Sequence, residues 1–180
     1  MAVNSKRKGN RGENQLVHIL EEKFGEGKFK RTPDSGAWTG GKNREGAENL
    51  PWEAKLTLVS DLITPATFNF VLEHKFYAEM DFWELMGKKS NWAEWIKQVE
   101  DDAAFVKKQP LLVIKYNRHD RIALIPYTYL MDYSIKKEDR DLELAKHVNQ
   151  ELAKTFVWHR YSVVTLDSLL SLPDDFWFTR

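Results

Sequence analysis

Two apolar stretches of the sequence are interrupted by charge, and the interruptions fall at a spacing that could do chemistry. Between Leu58 and Phe76 the chain reads as two apolar runs joined through Pro65, with Asp61 inside the first and Glu73 and Lys75 inside the second. Strand side chains alternate faces, so Glu73 and Lys75, two apart, project to the same side. Eleven residues separate Asp61 from Glu73. That is enough to finish one strand, turn, and lay the next alongside, so an antiparallel hairpin of Leu58–Thr64 with Phe68–Phe76 is expected. It would bring two carboxylates and an ammonium to one sheet surface. Hard divalent cations take such oxygen donors, and Mg²⁺ is usually held by one or two carboxylates plus water and phosphate. A neighbouring lysine can neutralise phosphate charge and help activate water. The plainer alternative is a cross-strand salt bridge at a sheet edge, which is worth little. That alternative does not explain why charge enters two otherwise apolar strands.

Glu13 is a second misplaced carboxylate. It precedes Leu16, Val17 and Leu20 by three, four and seven positions, on the face of a helix that should be buried. A carboxylate there needs a partner, and a metal site is one. A capping box, Asn10-x-x-Glu13, is the competing explanation. Around Glu13 the chain is basic. Residues 1–44 hold ten Lys and Arg against five Asp and Glu, and residues 45–180 hold seventeen against twenty-two, which hides in a net charge of zero. Lys6, Arg7, Lys8, Arg11 and Arg31 could supply phosphate contacts; a solvated tail and loop is the bland reading of the same charges.

The elements that must position these residues follow from periodicity. A helix is expected over Gly12–Phe24 with Asn10 as its cap and Gly25 as its stop. A short strand follows at Lys28–Thr32, then a glycine-rich polar loop from Pro33 to about Leu56. After the hairpin, the stripe Trp92, Trp95, Ile96, Val99, Ala103 and Val106 predicts a helix over about 91–108. Gln98 on it either turns to the site or is merely solvated. Strands are expected at Leu111–Tyr116, Arg121–Ile125 and Tyr161–Leu166, a polar helix over 137–156, and a short last helix capped by Asp167. The order predicts an α/β (α+β) fold: one domain over residues 1–180 with a central mixed sheet flanked by helices.

Composition excludes several classes. The 180 residues contain no cysteine, so disulfide frameworks, thiol nucleophiles and Cys-ligated metals are out. No run approaches the roughly 18 apolar residues of a membrane span, and no apolar stretch follows the basic N-terminus, so an intracellular protein without a membrane partner is expected. The five histidines show no metal-helix spacing, and Gly40-Gly41-Lys42 lacks the Ser/Thr of a phosphate loop.

Asp61 and Glu73-His74-Lys75 resemble the PD-(D/E)xK nuclease superfamily, whose signature is an acidic residue, a variable spacer, then Glu-x-Lys on the next strand. Lys8-Gly9-Asn10-Arg11-Gly12-Glu13, Leu16-Val17-His18-Ile19-Leu20, Arg31-Thr32-Pro33-Asp34-Ser35-Gly36 and the helix around Trp95-Ile96-Lys97-Gln98-Val99 extend the resemblance to archaeal-type Holliday-junction resolvases. It covers about residues 6–126 and leaves about 127–180 as an extension. It implies a restriction-endonuclease-like core and a Mg²⁺-dependent DNA endonuclease, with Mn²⁺ able to substitute. Glu13, Asp61 and Glu73 would bind metal and Lys75 would be catalytic. Ser35 would contact DNA or lie near the metal. A homodimer acting on four-way junctions, within the cytoplasm or nucleoid or of viral origin, completes the expectation. The sequence departs from the pattern at Ser60, where proline is expected, and in the length of the loop before Leu58. Pro33-Asp34 with Glu53-Ala54-Lys55 spells the motif more literally, but Asn49-Leu50-Pro51-Trp52 before it is not a strand.

Overall fold

The computed structural model describes residues 5–33, 46–80, 90–138 and 155–179, with Trp83, Leu85, Glu143, Gln150 and residues 146–148. Helix α1 (Ser5–Phe24) leads to strand β1 (Lys30–Arg31), helix α2 (Trp52–Leu58), strand β2 (Leu62–Ile63) and strand β3 (Phe70–Tyr77). Helix α3 (Asn91–Val106), strands β4 (Gln109–Tyr116) and β5 (Arg121–Pro126) and helix α4 (Tyr127–Glu138) follow. Strands β6 (Phe156–Trp158) and β7 (Tyr161–Thr165) and helices α5 (Leu166–Leu170) and α6 (Asp174–Trp177) complete the described elements.

Five strands form one mixed sheet in the order β3–β4–β5–β7–β6, and β1 with β2 forms a separate ribbon. Strands β3 and β4 run parallel, with Glu73 opposite Leu112 and Lys75 opposite Ile114. A parallel pair needs a crossover, which α3 supplies. Ser90 caps α3 by accepting from the Trp92 N–H, and its buried stripe is the one the sequence shows, ending at Lys107 in the left-handed region before Pro110. The continuous run Leu111–Ile114 is buried throughout, as suits a strand covered on both faces.

The sheet divides the core. On one face Leu16 and Leu20 of α1 pack with Phe70, Leu72, Val113, Ile125, Leu166, Phe176 and Trp177. On the other, Trp92, Ile96 and Val99 of α3 pack with Val71, Leu112, Ile114, Leu124 and Val163. An aromatic cluster closes the first face where β3 begins, with Phe68 stacked on Trp177 at 5.9 Å. The backbone N–H of Asn69 donates to the Trp177 carbonyl (2.8 Å), and the N–H of Thr179 donates to that of Thr67 (2.9 Å). The Asn69 side-chain amide donates to the Phe176 carbonyl (3.0 Å).

The mixed sheet flanked by helices is as expected, and several elements differ in detail. Helix α1 already includes Ser5, so Asn10 lies in its interior and neither caps it nor forms a box with Glu13. The hairpin does not form. Leu58 ends a helix, only Leu62–Ile63 is extended, and β2 pairs with β1 rather than β3. Residues 127–138 form a helix directly after β5 that periodicity did not show, and the helix expected over 137–156 is seen in its described residues, with Glu143, 146–148 and Gln150 helical. Part of 137–156 lies outside the described residues, and Phe156 begins a strand. Thr165, not Asp167, caps α5, accepting from the Ser168 N–H. Residues beyond 126 are no appendage, because β7 pairs with β5 inside the sheet.

Candidate active site

Asp61 reaches the sheet from a bend rather than from a strand. Ser60 before it adopts φ 77°, in the left-handed region, and its hydroxyl donates to the Leu62 carbonyl at 3.0 Å. The turned chain is then fastened on both sides. The Asp61 N–H donates to the Leu72 carbonyl (3.2 Å), and its carbonyl accepts from the Thr32 N–H (2.8 Å). Its carboxylate Oδ2 accepts from the His74 N–H at 2.9 Å. Asp61 thus brackets Glu73 from outside the edge strand, satisfying backbone groups of β3 that no neighbouring strand pairs.

Glu73 and Lys75 project from β3 toward α3, where Gln98 meets them. Lys75 Nζ donates to Glu73 Oε1 (2.6 Å) and to Gln98 Oε1 (3.2 Å), while Gln98 Nε2 donates to Glu73 Oε1 at 2.9 Å. The three side chains form a closed triangle. The Glu73 side chain is only 3% exposed, which separates this contact from an ordinary surface bridge, since a charge at that depth is tolerated only when it is compensated. On α1, Glu13 Oε2 accepts from Arg31 at 3.4 Å.

The electrostatics show what the cluster lacks. Burial and the nearby Asp61 push the Glu73 carboxyl up to about 8, against the pull of Lys75. Glu13 is likewise raised by burial and by Asp61, against Arg31 and Lys75. Burial disfavours the Lys75 ammonium, but Glu73 overrides it and holds the group above the usual lysine value. Asp61 raises both Glu73 and Glu13, a repulsion among acids that Lys75 and Arg31 only partly offset. A further cation would offset it. Among the described residues no three His, Cys, Asp or Glu side chains form a ready metal cage. The donors therefore fit a hard divalent ion that takes one or two carboxylates and completes its shell with water and phosphate; they do not fit an all-protein site.

The other residues singled out by sequence divide. Arg7 and Arg11 are exposed on α1, and Lys8 stands over the Phe76 ring at 4.3 Å, all on the helix that carries Glu13. Lys6 is in the same helix. Arg31 faces the site through its pair with Glu13. Asp34 and Ser35 lie outside the described residues. Glu53 is exposed on α2. Sequence reasoning passed over Gly12 and His74. The signal was available: a glycine inside a helix and a histidine inside an apolar strand both need a reason.

A mixed sheet flanked by helices, with an acid and a lysine on its edge strand and a second acid beside it, is the architecture of restriction-endonuclease-like nucleases. A family model described as "phage putative PDDEXK endonuclease" matches residues 4–177, and the chain belongs to that family. No curated protein and no solved structure matches it. The family model runs through β7, α5 and α6, well past residue 126 where the resemblance read from sequence stops. Nucleases of this superfamily generally use divalent metals. Among the described residues no helix is long and apolar enough to cross a membrane.

Proposed function

We propose that the chain is a Mg²⁺-dependent endodeoxyribonuclease that hydrolyses the phosphodiester backbone at the outer edge of β3. The observation that carries this reading is the placement of Asp61, Glu73 and Lys75 together, with Gln98 bonded to both Glu73 and Lys75. Asp61 and Glu73 would hold the ion, with Glu13 at its margin, and Mn²⁺ should substitute. The ion, when bound, polarises the scissile phosphate and makes a bound water more acidic. Lys75 presents its ammonium where phosphate charge and an attacking water must be balanced. Gln98 restricts that ammonium to one orientation and holds the shared Glu73 oxygen. Arg7, Lys8 and Arg11 line the approach on α1 and would bind flanking phosphates, with Lys6 and Ser35 as further candidates.

Branched DNA is the substrate we propose, four-way junctions in particular, cut by a two-fold dimer. The support is the resemblance of the Lys8–Glu13 and Arg31–Gly36 segments to junction resolvases, together with the match between a two-fold substrate and a two-fold enzyme. Incubation with labelled four-way junction, duplex and single strand, with Mg²⁺ or with chelator, tests both levels. Paired nicks in the junction that chelator abolishes are expected. Equal cutting of linear duplex by a monomer would remove the junction reading and leave the nuclease; absence of ion-dependent cutting on every substrate would remove both.

A further inference from the structure

Glycine inside a helix is costly, because it gives up more backbone freedom than alanine and offers no side chain to pack. Helix α1 accepts it at two interior positions, Gly9 and Gly12, and their surroundings differ. A Cβ at Gly9 would meet only Glu13 Oε1 at 3.7 Å, an ordinary contact. A Cβ at Gly12 would stand 2.4 Å from His74 Cε1, 3.1 Å from His74 Nδ1 and 3.1 Å from Phe76 Cδ1. No side chain can sit that close, so Gly12 marks where α1 comes down onto β3.

His74 cannot step aside easily. It is 5% exposed, and its N–H is held by the Asp61 carboxylate. Phe76 beside it lies beneath Lys8. Among the described residues neither imidazole nitrogen has a hydrogen-bond partner. A buried polar ring without partners earns nothing from its nitrogens there, and what remains is its bulk. The next residue after Gly12 is Glu13, whose carboxylate feels Asp61 and Lys75 and pairs with Arg31.

We propose that Gly12 and His74 act as a steric gauge, in which the missing Cβ lets α1 close onto the imidazole and that contact sets where Glu13 stands relative to Asp61 and Glu73. Both are positioning residues: neither touches the reacting atoms, and each acts through Glu13. The proposal rests on the nuclease reading in which Glu13 belongs to the site.

The test compares Gly12→Ala with Gly9→Ala, which makes the same change to the same helix without the clash. Cleavage kcat and KM, Mn²⁺ affinity by titration and the melting curve are measured for each, and for His74→Ala and the double variant Gly12→Ala/His74→Ala. Gly12→Ala should stay folded and lose about a hundred-fold in kcat, the scale of a displacement near 1 Å. Its KM for DNA should change little and its Mn²⁺ affinity should fall. Gly9→Ala should match the unsubstituted chain, and His74→Ala, which removes the stop without introducing a clash, should lose part of kcat and Mn²⁺ affinity, less than Gly12→Ala does. The double variant should recover kcat and Mn²⁺ affinity, because the alanine Cβ then occupies the space the ring leaves. Gly12→Ala as active as Gly9→Ala, or a double variant no better than Gly12→Ala, would overturn the gauge. Where Gly12→Ala alone does not fold, recovery of folded, active protein by adding His74→Ala supports the gauge, and failure to recover overturns it. An unsubstituted chain that cuts no DNA counts against the nuclease reading instead, and the Mn²⁺ affinities of the four variants then decide the gauge by the same pattern.

Discussion

The two faces of β3 treat buried polarity in opposite ways. Toward α1 the strand presents Phe70, Leu72, His74 and Phe76; toward α3 it presents Val71, Glu73, Lys75 and Tyr77, the last packed on Trp95 at 4.6 Å. Both faces are apolar where the strand begins and turn polar together at residues 73–75. On the α3 side the buried carboxyl of Glu73 is met by Lys75 and Gln98. On the α1 side burial, aided by Arg121 and Lys75, drives His74 down to about 3, so the ring stays neutral and asks for no counter-charge. One strand therefore carries the candidate site groups on one side and shape on the other. A charge that must be compensated can be turned to catalysis, whereas a neutral ring can only fill space.

Breaking the α3 side should cost chemistry above all, together with the stability that Glu73 draws from its buried partner. Lys75→Ala is expected to lower cleavage by about 10²–10⁴-fold, the range for losing a positioned acid–base or charge-stabilising group. DNA affinity by gel shift and the far-UV spectrum should stay close to those of the unsubstituted chain. Near-normal cutting would take Lys75 out of the reaction.

Breaking the α1 side should do the reverse. Leu72 is fully buried, and Leu72→Ala should destabilise the fold by about 2–5 kcal/mol through lost burial and a cavity. Cleavage measured well below the lowered midpoint should survive. A large kcat loss at that temperature would mean the two faces are not separable.

Titration sharpens the contrast, because the two buried groups depart from their ordinary values in opposite directions. Glu73 is near 8 when folded against 4.5 as its reference, so the folded chain binds the extra proton between these values. Its stabilising contribution is complete below 4.5 and is lost as pH rises through 8. His74 is near 3 when folded against a reference of 6.5, so the unfolded chain binds the extra proton, and stability falls as pH drops from 6.5 toward 3. Metal-free protein should melt highest between the two limbs. Glu73→Gln should flatten the alkaline limb and His74→Leu the acid one; melting curves from pH 4 to 9 that keep both limbs in both variants would contradict the assignment.

The smallest effect belongs to the helix above the strand. Lys8→Ala should weaken DNA binding modestly and reduce the slope of log affinity against log salt by about one phosphate contact. The cleavage rate at saturating DNA should be unchanged. An unaltered salt slope would place Lys8 off the DNA path.

Local pattern was enough to read some parts of the molecule. Alternation put Glu73 and Lys75 on one face, and the stripe from Trp92 to Val106 gave α3 almost to the residue. What escaped was set by distant contacts. Gly9, Asn10 and Gly12 weaken the helical signal at the start of α1, yet packing on β3 carries the helix through them. The strand expected around Asp61 failed because Ser60 turns the chain and β2 finds β1 instead. The Arg31–Glu13 pair joins residues 18 apart across two elements, which no periodicity encodes. Helix α4 escaped because Tyr127, Tyr129 and Tyr133 dilute its propensity while tertiary contacts hold it.

The fastening of Asn69 under Phe176 and Trp177 has a consequence in time. These partners stand 107 residues apart in the chain, and contacts of such separation close late, because the loop entropy must be met before they form. At ribosomal rates of about 5–20 residues per second, the segment that holds the start of β3 emerges roughly five to twenty seconds after Asn69. Until then the strand bearing Glu73 and Lys75 lacks its hydrophobic anchor. In refolding, the return of cleavage should follow the slow burial of Trp177 fluorescence rather than the earlier gain of helix. Cutting would thus be withheld from the incomplete chain by the order of its own assembly.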